Sequence, residues 1–220
     1  MTRYLLPIAF AALLALQVLP SVTLAWQQTQ RLNHGRAVHL AVETRDPRDL
    51  FRGEYSVLAY EVGRLQGISA ASIPPGCDLV ARESCRLKSG TAVYVRLTPD
   101  AEGVHRASEV LFEAPTGPTV FIAGRLSSAT LVRQGTSLGA TPRGAARTNE
   151  TIVCERPACI SALVSYGIEN WYGPQGMPAK LDRAARKDIV VEARVASDGV
   201  AAIDGIVVGG IPFAKTARLW

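Results

Sequence analysis

Residues 188–208 read DIVVEARVASDGVAAIDGIVV, and this stretch decides the class of fold. Apolar residues alternate with other residues on both sides of Ser197-Asp198-Gly199, as is typical of two half-buried strands. An Asp-Gly pair between two such runs predicts a β-hairpin, because glycine accepts the positive φ of a primed turn. The stretch therefore predicts a β protein.

Similar patterns recur upstream and predict a domain over residues 36–212, with a C-terminal tail at 213–220. Residues 67–90 are expected to form an irregular loop and residues 134–150 a flexible one. Residues 178–187, PAKLDRAARK, predict the one clear internal helix, since Pro178 suits its first turn. We expect a mainly β domain of about eight or nine strands, either barrel-like or a sandwich, with two lobes joined near 134–150 as a further option. The predicted strands are 36–43, 54–62, 91–98, 104–112, 119–126 with 129–133 as its partner, 159–166, 188–196 and 200–208.

The N-terminal residues 4–26, YLLPIAFAALLALQVLPSVTLAW, carry no charge. About 20 apolar residues suffice to span a bilayer as a helix, so the run predicts an N-terminal transmembrane helix in spite of Pro20. A cleaved signal peptide is the alternative, because Arg3 supplies a positive start and Thr23-Leu24-Ala25 a small-residue cleavage site. A buried core helix is a third, less favoured interpretation. The polar residues 27–35 are predicted to tether the domain to the membrane.

The four cysteines form two close pairs in sequence, Cys77 with Cys85 and Cys154 with Cys159. Exported proteins keep such pairs as disulfides, whereas cytosolic thiols stay reduced. Four cysteines allow three connectivities, of which local pairing is the simplest. A zinc site is disfavoured by the spacings, and unpaired buried thiols are the remaining alternative. The cysteines thus favour an extracytoplasmic domain.

Composition and motifs argue against several classes of function. The net charge of +5 is spread over 220 residues without a dense Lys/Arg stripe, which disfavours nucleic-acid binding. The chain lacks the G-x-S-x-G, P-loop, H-E-x-x-H and C-x-x-C motifs, and it has three histidines. We therefore predict no cofactor, no metal site and no catalytic residue, and an enzyme is the less favoured interpretation.

Two segments are candidate binding sites. Residues 45–55, RDPRDLFRGEY, hold three arginines and three carboxylates, and arginine forks suit carboxylate or phosphate groups. The alternative is a turn whose charges pair with one another. Residues 166–174, YGIENWYGP, place aromatics and a lone glutamate between glycines and can line a groove, although an aromatic core with a tight turn is equally consistent. The candidate residues are Asp46, Arg48, Asp49, Arg52, Gly53, Glu54, Tyr55, Tyr60, Glu169, Trp171 and Tyr172.

Residues 53–60, GEYSVLAY, resemble the signature of the GDYXXLXY family, with Glu54 in place of its aspartate. Further resemblance lies in Asp46-Pro47-Arg48-Asp49 with Arg52, in Tyr94-Val95 with Leu97, and in residues 166–176. The family's Tyr-Phe-Val-Pro-Glu-Gly run reads WYGPQG at residues 171–176. The resemblance covers roughly residues 36–210, and Gln175 in place of glutamate weakens any acid–base role there.

This resemblance implies a bacterial protein with one membrane span, encoded beside multi-span membrane proteins. We therefore expect a single-span protein of the bacterial inner membrane, embedded in lipid through residues 4–26, whose C-terminal domain lies in the periplasm or outside the cell. The leading hypothesis is a non-enzymatic accessory or partner subunit of a multi-span envelope protein. The alternatives are a small-ligand sensor using Trp171 and Tyr172, or a hydrolase using carboxylates among Asp46, Asp49, Glu54 and Glu169.

Overall fold

The computed structural model describes residues 5–43, 55–138 and 152–217, and these residues are mainly β. Two α-helices, α1 (Leu5–His34) and α2 (Met177–Arg183), accompany 3₁₀ turns at Glu61–Gly63 and Arg186–Asp188. The strands are β1 (Arg36–Glu43), β2 (Tyr55–Val57), β3 (Ala59–Tyr60), β4 (Arg64–Ala70), β5 (Ser84–Leu87), β6 (Ala92–Pro99), β7 (His105–Leu111), β8 (Phe121–Arg133), β9 (Ser137–Leu138), β10 (Ile152–Val153), β11 (Ala158–Ser165), β12 (Asn170–Tyr172), β13 (Ile189–Val195), β14 (Ala201–Val208) and β15 (Ile211–Lys215).

Five strands close on themselves as a small barrel, in the order β4-β7-β6-β8-β11. The pairing of β4 with β7 is parallel and short, and the other four pairings are antiparallel. Strand β8 is long enough to have two neighbours on one side. Its first half pairs with β6 and its second half pairs with β5. The prediction of a barrel-like domain is confirmed at this level.

The second sheet combines strands from the beginning and the end of the domain's sequence. Its order is β15-β14-β13-β1-β3, and every pairing is antiparallel. Alternate residues of β13 are buried, as the sequence pattern predicts, and they pack into one apolar core with the barrel. The turn between β13 and β14 contains Gly199 at φ +83, where a Cβ would lie 2.7 Å from the Phe121 ring. Glycine at this position therefore allows the turn to pack against the start of β8.

Several sequence-based boundaries were wrong. Residues 67–90 contain most of β4 and all of β5, and the two predicted strands 119–126 and 129–133 are one continuous strand, β8. The predicted strand 54–62 divides into β2, β3 and a 3₁₀ turn, while β15 extends into the predicted tail. The 134–150 segment does not join two lobes, because β8 before it and β11, which follows the short strand β10, both belong to the barrel. Residues 139–151 themselves lie outside the described part of the chain.

Helix α1 extends through residues 27–34, where the sequence predicted a tether. Thr29 and Leu32 are each 3 % exposed, and the end of the helix contacts β13 and β14. Its earlier turns expose large apolar side chains, among them Leu16, Leu19, Leu24 and Trp26. None of the helices in the described part of the chain combines the length and the apolarity that crossing a membrane requires.

The local cysteine pairing is confirmed. Cys77 and Cys85 form one disulfide with their Cα atoms 5.9 Å apart, and Cys154 and Cys159 form a second at 5.7 Å. Both separations lie within the range that disulfides adopt. The first bond closes the loop between β4 and β5, and the second joins β11 to the segment before it.

Candidate functional site

The two predicted binding segments meet in the folded chain. Strand β2 pairs with β12, which places Tyr55 opposite Tyr172 and Ser56 opposite Trp171. The rings of Tyr55 and Tyr172 pack with centroids 5.6 Å apart, and Tyr172 is 74 % exposed. We call this two-stranded feature the β2–β12 ribbon. Its outer surface presents the exposed ring of Tyr172 against the half-buried ring of Tyr55, and tyrosine is a residue type enriched at protein interfaces.

Glu169 holds the turn that leads into the ribbon. Its carboxylate accepts hydrogen bonds from the backbone N–H groups of Tyr166 and Gly167, the latter at 2.9 Å. Its own carbonyl oxygen accepts the Leu58 N–H at 2.7 Å. Both carboxylate oxygens are thus used within the turn, so the side chain stabilises the backbone there, and this arrangement gives no support to an acid or base role.

Two buried tyrosines, one in each segment, connect residues 60–62 with residues 166–168. The Tyr60 hydroxyl donates to the Ile168 carbonyl at 2.7 Å, and the Tyr166 hydroxyl donates to the Val62 carbonyl at 2.6 Å. Burial, and secondarily the charge of Glu169, raises the pKa of both hydroxyls above the ordinary value. Both tyrosines therefore remain protonated donors. We call Tyr60, Tyr166 and Glu169, together with the backbone groups that their side chains bind, the tyrosine clasp.

The other predicted aromatic of this segment belongs to the core. Trp171 is 8 % exposed and packs edge-to-face on Phe213, with ring centroids 6.1 Å apart. Beside it, the Ser56 hydroxyl donates to the Pro178 carbonyl at 3.0 Å and fixes α2 against the ribbon. Trp171 therefore stabilises the ribbon from within, whereas Tyr172 is exposed and Tyr55 is half-buried beneath it.

Six of the predicted binding residues cannot be placed in this site. Asp46, Arg48, Asp49, Arg52, Gly53 and Glu54 lie outside the described residues. Of the candidates that are described, the ribbon brings together Tyr55 and Tyr172, and the clasp contains Tyr60 and Glu169. Within residues 5–43, 55–138 and 152–217, no group of three or more His, Cys, Asp or Glu side chains is positioned to hold a metal ion.

The sequence analysis missed a polar cluster where the 3₁₀ turn after β3, the β6–β7 turn and β1 meet. Arg106 donates to Asp100 at 3.0 Å and to Glu61. Beside it, the backbone N–H of His39 donates to Nδ1 of His105 at 3.2 Å. The Arg106 guanidinium lowers the pKa of the Asp100 carboxyl, and burial, with the nearby His39, lowers the pKa of His105. The adjacent His105-Arg106 pair was the only signal in the sequence.

We expect this cluster to make stability depend on pH. The folded chain binds a proton at His105 less readily than the unfolded chain, so the free energy of unfolding should fall as pH decreases through the imidazole range. In His105→Asn, the amide oxygen can still accept the His39 N–H. The free energy of unfolding of this variant should fall less between pH 7.5 and 5 than that of the wild type. Urea unfolding of the solubilised full chain at several pH values measures it.

His34→Asn is the matched control, since His34 is exposed at the end of α1. The titratable groups that act on His105 are His39 and Asp100, and Arg106 joins Asp100 to Glu61 beside them; all four stay unchanged in both variants. Parallel pH profiles for wild type and His105→Asn would show that the burial of this imidazole has no influence on stability.

These features define a class: a disulfide-bonded β domain with a small barrel, a second sheet and a long N-terminal helix. The sequence profile of the GDYXXLXY family, described as GDYXXLXY protein, matches residues 17–206. The chain therefore belongs to the GDYXXLXY family. Comparison with curated proteins and with solved structures returned no match.

Proposed function

We propose that this chain is a membrane-anchored extracytoplasmic domain that serves as an accessory subunit of a multi-span protein of the bacterial inner membrane. The observation that carries the proposal is the surface of α1. Nine large apolar side chains between Phe10 and Trp26 are 45–70 % exposed, whereas the last turns of the same helix are seated on the β domain. Such a surface requires lipid or protein around it.

Although the described part of α1 does not by itself meet the requirements of a span, the uncharged run at residues 4–26 supports lipid as the surrounding medium. Its 23 residues would extend about 34 Å as a helix, close to the ~30 Å thickness of a hydrocarbon core. The two disulfides support an oxidising compartment for the domain. Together these features favour one span with the β domain on the extracytoplasmic side.

The β2–β12 ribbon supports a role in contacting a protein partner. Most of the predicted site residues in the described part of the chain are engaged in hydrogen bonds or core packing, but Tyr172 is exposed to solvent and packs against the half-buried ring of Tyr55. Exposed tyrosines bury a large area at low entropic cost when a partner covers them. The ribbon is therefore the surface on which we expect the partner to bind.

Co-purification from carbonate-washed native membranes tests this function. We expect the full chain to remain in the washed membranes and, after mild detergent extraction, to elute with a multi-span protein in fixed stoichiometry. Tyr172→Ala should reduce the amount of co-eluting partner about tenfold, the effect of losing one interface hot spot.

Val80→Ala is the matched control, because Val80 is 89 % exposed on the loop closed by Cys77 and Cys85. It should leave the co-eluting partner unchanged. Recovery of the chain in the carbonate wash would contradict the anchor. A chain that stays in the membrane but elutes alone would contradict the accessory role, and equal losses for Tyr172→Ala and Val80→Ala would exclude the ribbon as the contact.

A further inference from the structure

A cleft of about 510 Å³ lies between the last turns of α1 and the β13–β14 turn. Trp26, Gln30 and Arg31 line it from the helix, and Ser197 and Asp198 line it from the turn. Its volume lies within the range of small-molecule sites. None of the residues predicted from the sequence as binding residues belongs to this cleft.

The two walls of the cleft are held in a fixed relation. At Gly35 the helix ends against β13 so closely that a Cβ would lie 2.5 Å from the Arg31 carbonyl oxygen and 3.0 Å from the Cβ of Arg194. The Arg194 guanidinium donates to the Gly35 carbonyl at 3.3 Å and to Asp204 at 3.1 Å. Since no linker separates helix from sheet, the cleft is formed before any ligand arrives.

The position of the cleft follows from the membrane anchoring proposed above, on which this inference rests. If residues 4–26 fill the hydrocarbon core, Trp26 lies at the interface, where indole rings are favoured. Arg31 is five residues further along the helix, or about 7.5 Å at 1.5 Å per residue. The headgroup layer of one leaflet is about 5–7.5 Å thick, so the cleft opens at the outer level of the lipid headgroups.

The charges of the cleft have opposite sign on its two walls. Arg31 is half-buried, and its guanidinium has no hydrogen bond or ion pair among the described residues. Asp198 is exposed on the facing turn; one of its carboxylate oxygens accepts the Val200 N–H at 3.0 Å. A ligand that satisfies both side chains carries an anionic group with an ammonium group a short distance away.

We propose that this cleft binds the headgroup of a bilayer phospholipid that carries both a phosphate and a primary ammonium, a phosphoethanolamine lipid. The Arg31 guanidinium pairs with the phosphate, a geometry that arginine favours. The Asp198 carboxylate accepts from the ammonium, and the exposed apolar side chains of α1 lie alongside the acyl chains. A purely anionic headgroup leaves Asp198 without a cationic partner and faces its negative charge.

Native mass spectrometry of the full chain, released from nanodiscs of equal phosphatidylethanolamine and phosphatidylglycerol, tests the proposal. We expect the wild type to retain phosphatidylethanolamine preferentially. Arg31→Gln should lower this retention about tenfold, as expected for the loss of one charge-assisted hydrogen bond. Asp198→Asn keeps the oxygen that accepts the Val200 N–H, and it should abolish the preference for phosphatidylethanolamine over phosphatidylglycerol.

Arg82→Gln is the control for general loss of positive charge, because Arg82 is exposed on the loop closed by Cys77 and Cys85. Near-ultraviolet circular dichroism confirms that each variant is folded. Two results would overturn the headgroup site and leave the anchor intact: an inserted chain that shows no headgroup preference, or an Arg31→Gln variant that retains as much phosphatidylethanolamine as the wild type. Displacement of the lipid by soluble phosphoethanolamine at equal concentration overturns the lipid as ligand. A chain that fails to insert overturns the anchor, and this inference with it.

Discussion

Replacing Leu58 by alanine is expected to lower the free energy of unfolding by about 2–5 kcal/mol, the usual cost of removing a fully buried leucine side chain. Leu58 is 0 % exposed and lies between β2 and β3, where the β2–β12 ribbon joins the second sheet. Its backbone N–H is bonded to the Glu169 carbonyl at 2.7 Å, so the main chain cannot easily move into the space left by the side chain.

The matched control is Leu163→Ala on β11, because Leu163 is 42 % exposed. It removes the same atoms and should cost about 1 kcal/mol or less, since less apolar area returns to water. Urea unfolding of the detergent-solubilised full chain, followed by tryptophan fluorescence, measures both values. Equal costs for the two variants would show that Leu58 is not part of the packed core.

Replacing Glu169 by alanine is expected to lower the free energy of unfolding by about 2–4 kcal/mol, because two backbone N–H groups lose their acceptor. The loss costs about 1–3 kcal/mol for a buried N–H group. The N–H of Tyr166 is partly buried and that of Gly167 is exposed, so water can replace only the second acceptor readily. The tyrosine clasp should loosen with the turn. Hydrogen exchange of the Leu58 amide should therefore accelerate in the variant.

Glu169→Gln separates the hydrogen bonds from the charge. Glutamine keeps one acceptor oxygen and turns an NH₂ group toward the second N–H, so its stability should fall between wild type and alanine. Glu113→Ala removes an exposed carboxylate and should stay within about 0.5 kcal/mol of wild type. If Glu169→Ala were as stable as Glu113→Ala, the carboxylate would be free for another role, and the hydrolase hypothesis would regain support.

The β13–β14 hairpin could be predicted from sequence because buried and half-buried residues alternate strictly along β13, and a turn signal separates it from the apolar β14. Strands β4 and β5 could not be predicted from the sequence. Most side chains of β4 are only half-buried, and β5 is an edge strand with alternating exposed positions, so neither has a clear apolar period. The prediction divided β8 at Ser127-Ser128, two exposed polar residues that interrupt the apolar pattern. The strand nevertheless continues, and its pairing with β11 passes this point with a register shift at Ser127.

The sequence singled out the segments containing Tyr60 and Glu169, and these segments meet in the folded chain, but the contacts of their residues could not be predicted. The partners of their polar groups are backbone atoms, and backbone atoms leave no pattern in the sequence. The Tyr60 hydroxyl binds a carbonyl 108 positions away and the Tyr166 hydroxyl one 104 positions away. The pairings of β2 with β12 and of β4 with β11 bring these groups together.

The pairing of β1 with β13 has a consequence for the order in which the chain folds. Gly35 and Arg194, which meet where these strands begin and end, are 159 positions apart. At a synthesis rate of about 5–20 residues per second, the partner of β1 follows it by roughly 10–30 s. During this interval the barrel strands can form local contacts, while β1 presents an unpaired edge beside α1. Protection of that edge from aggregation is therefore needed until the last strands emerge.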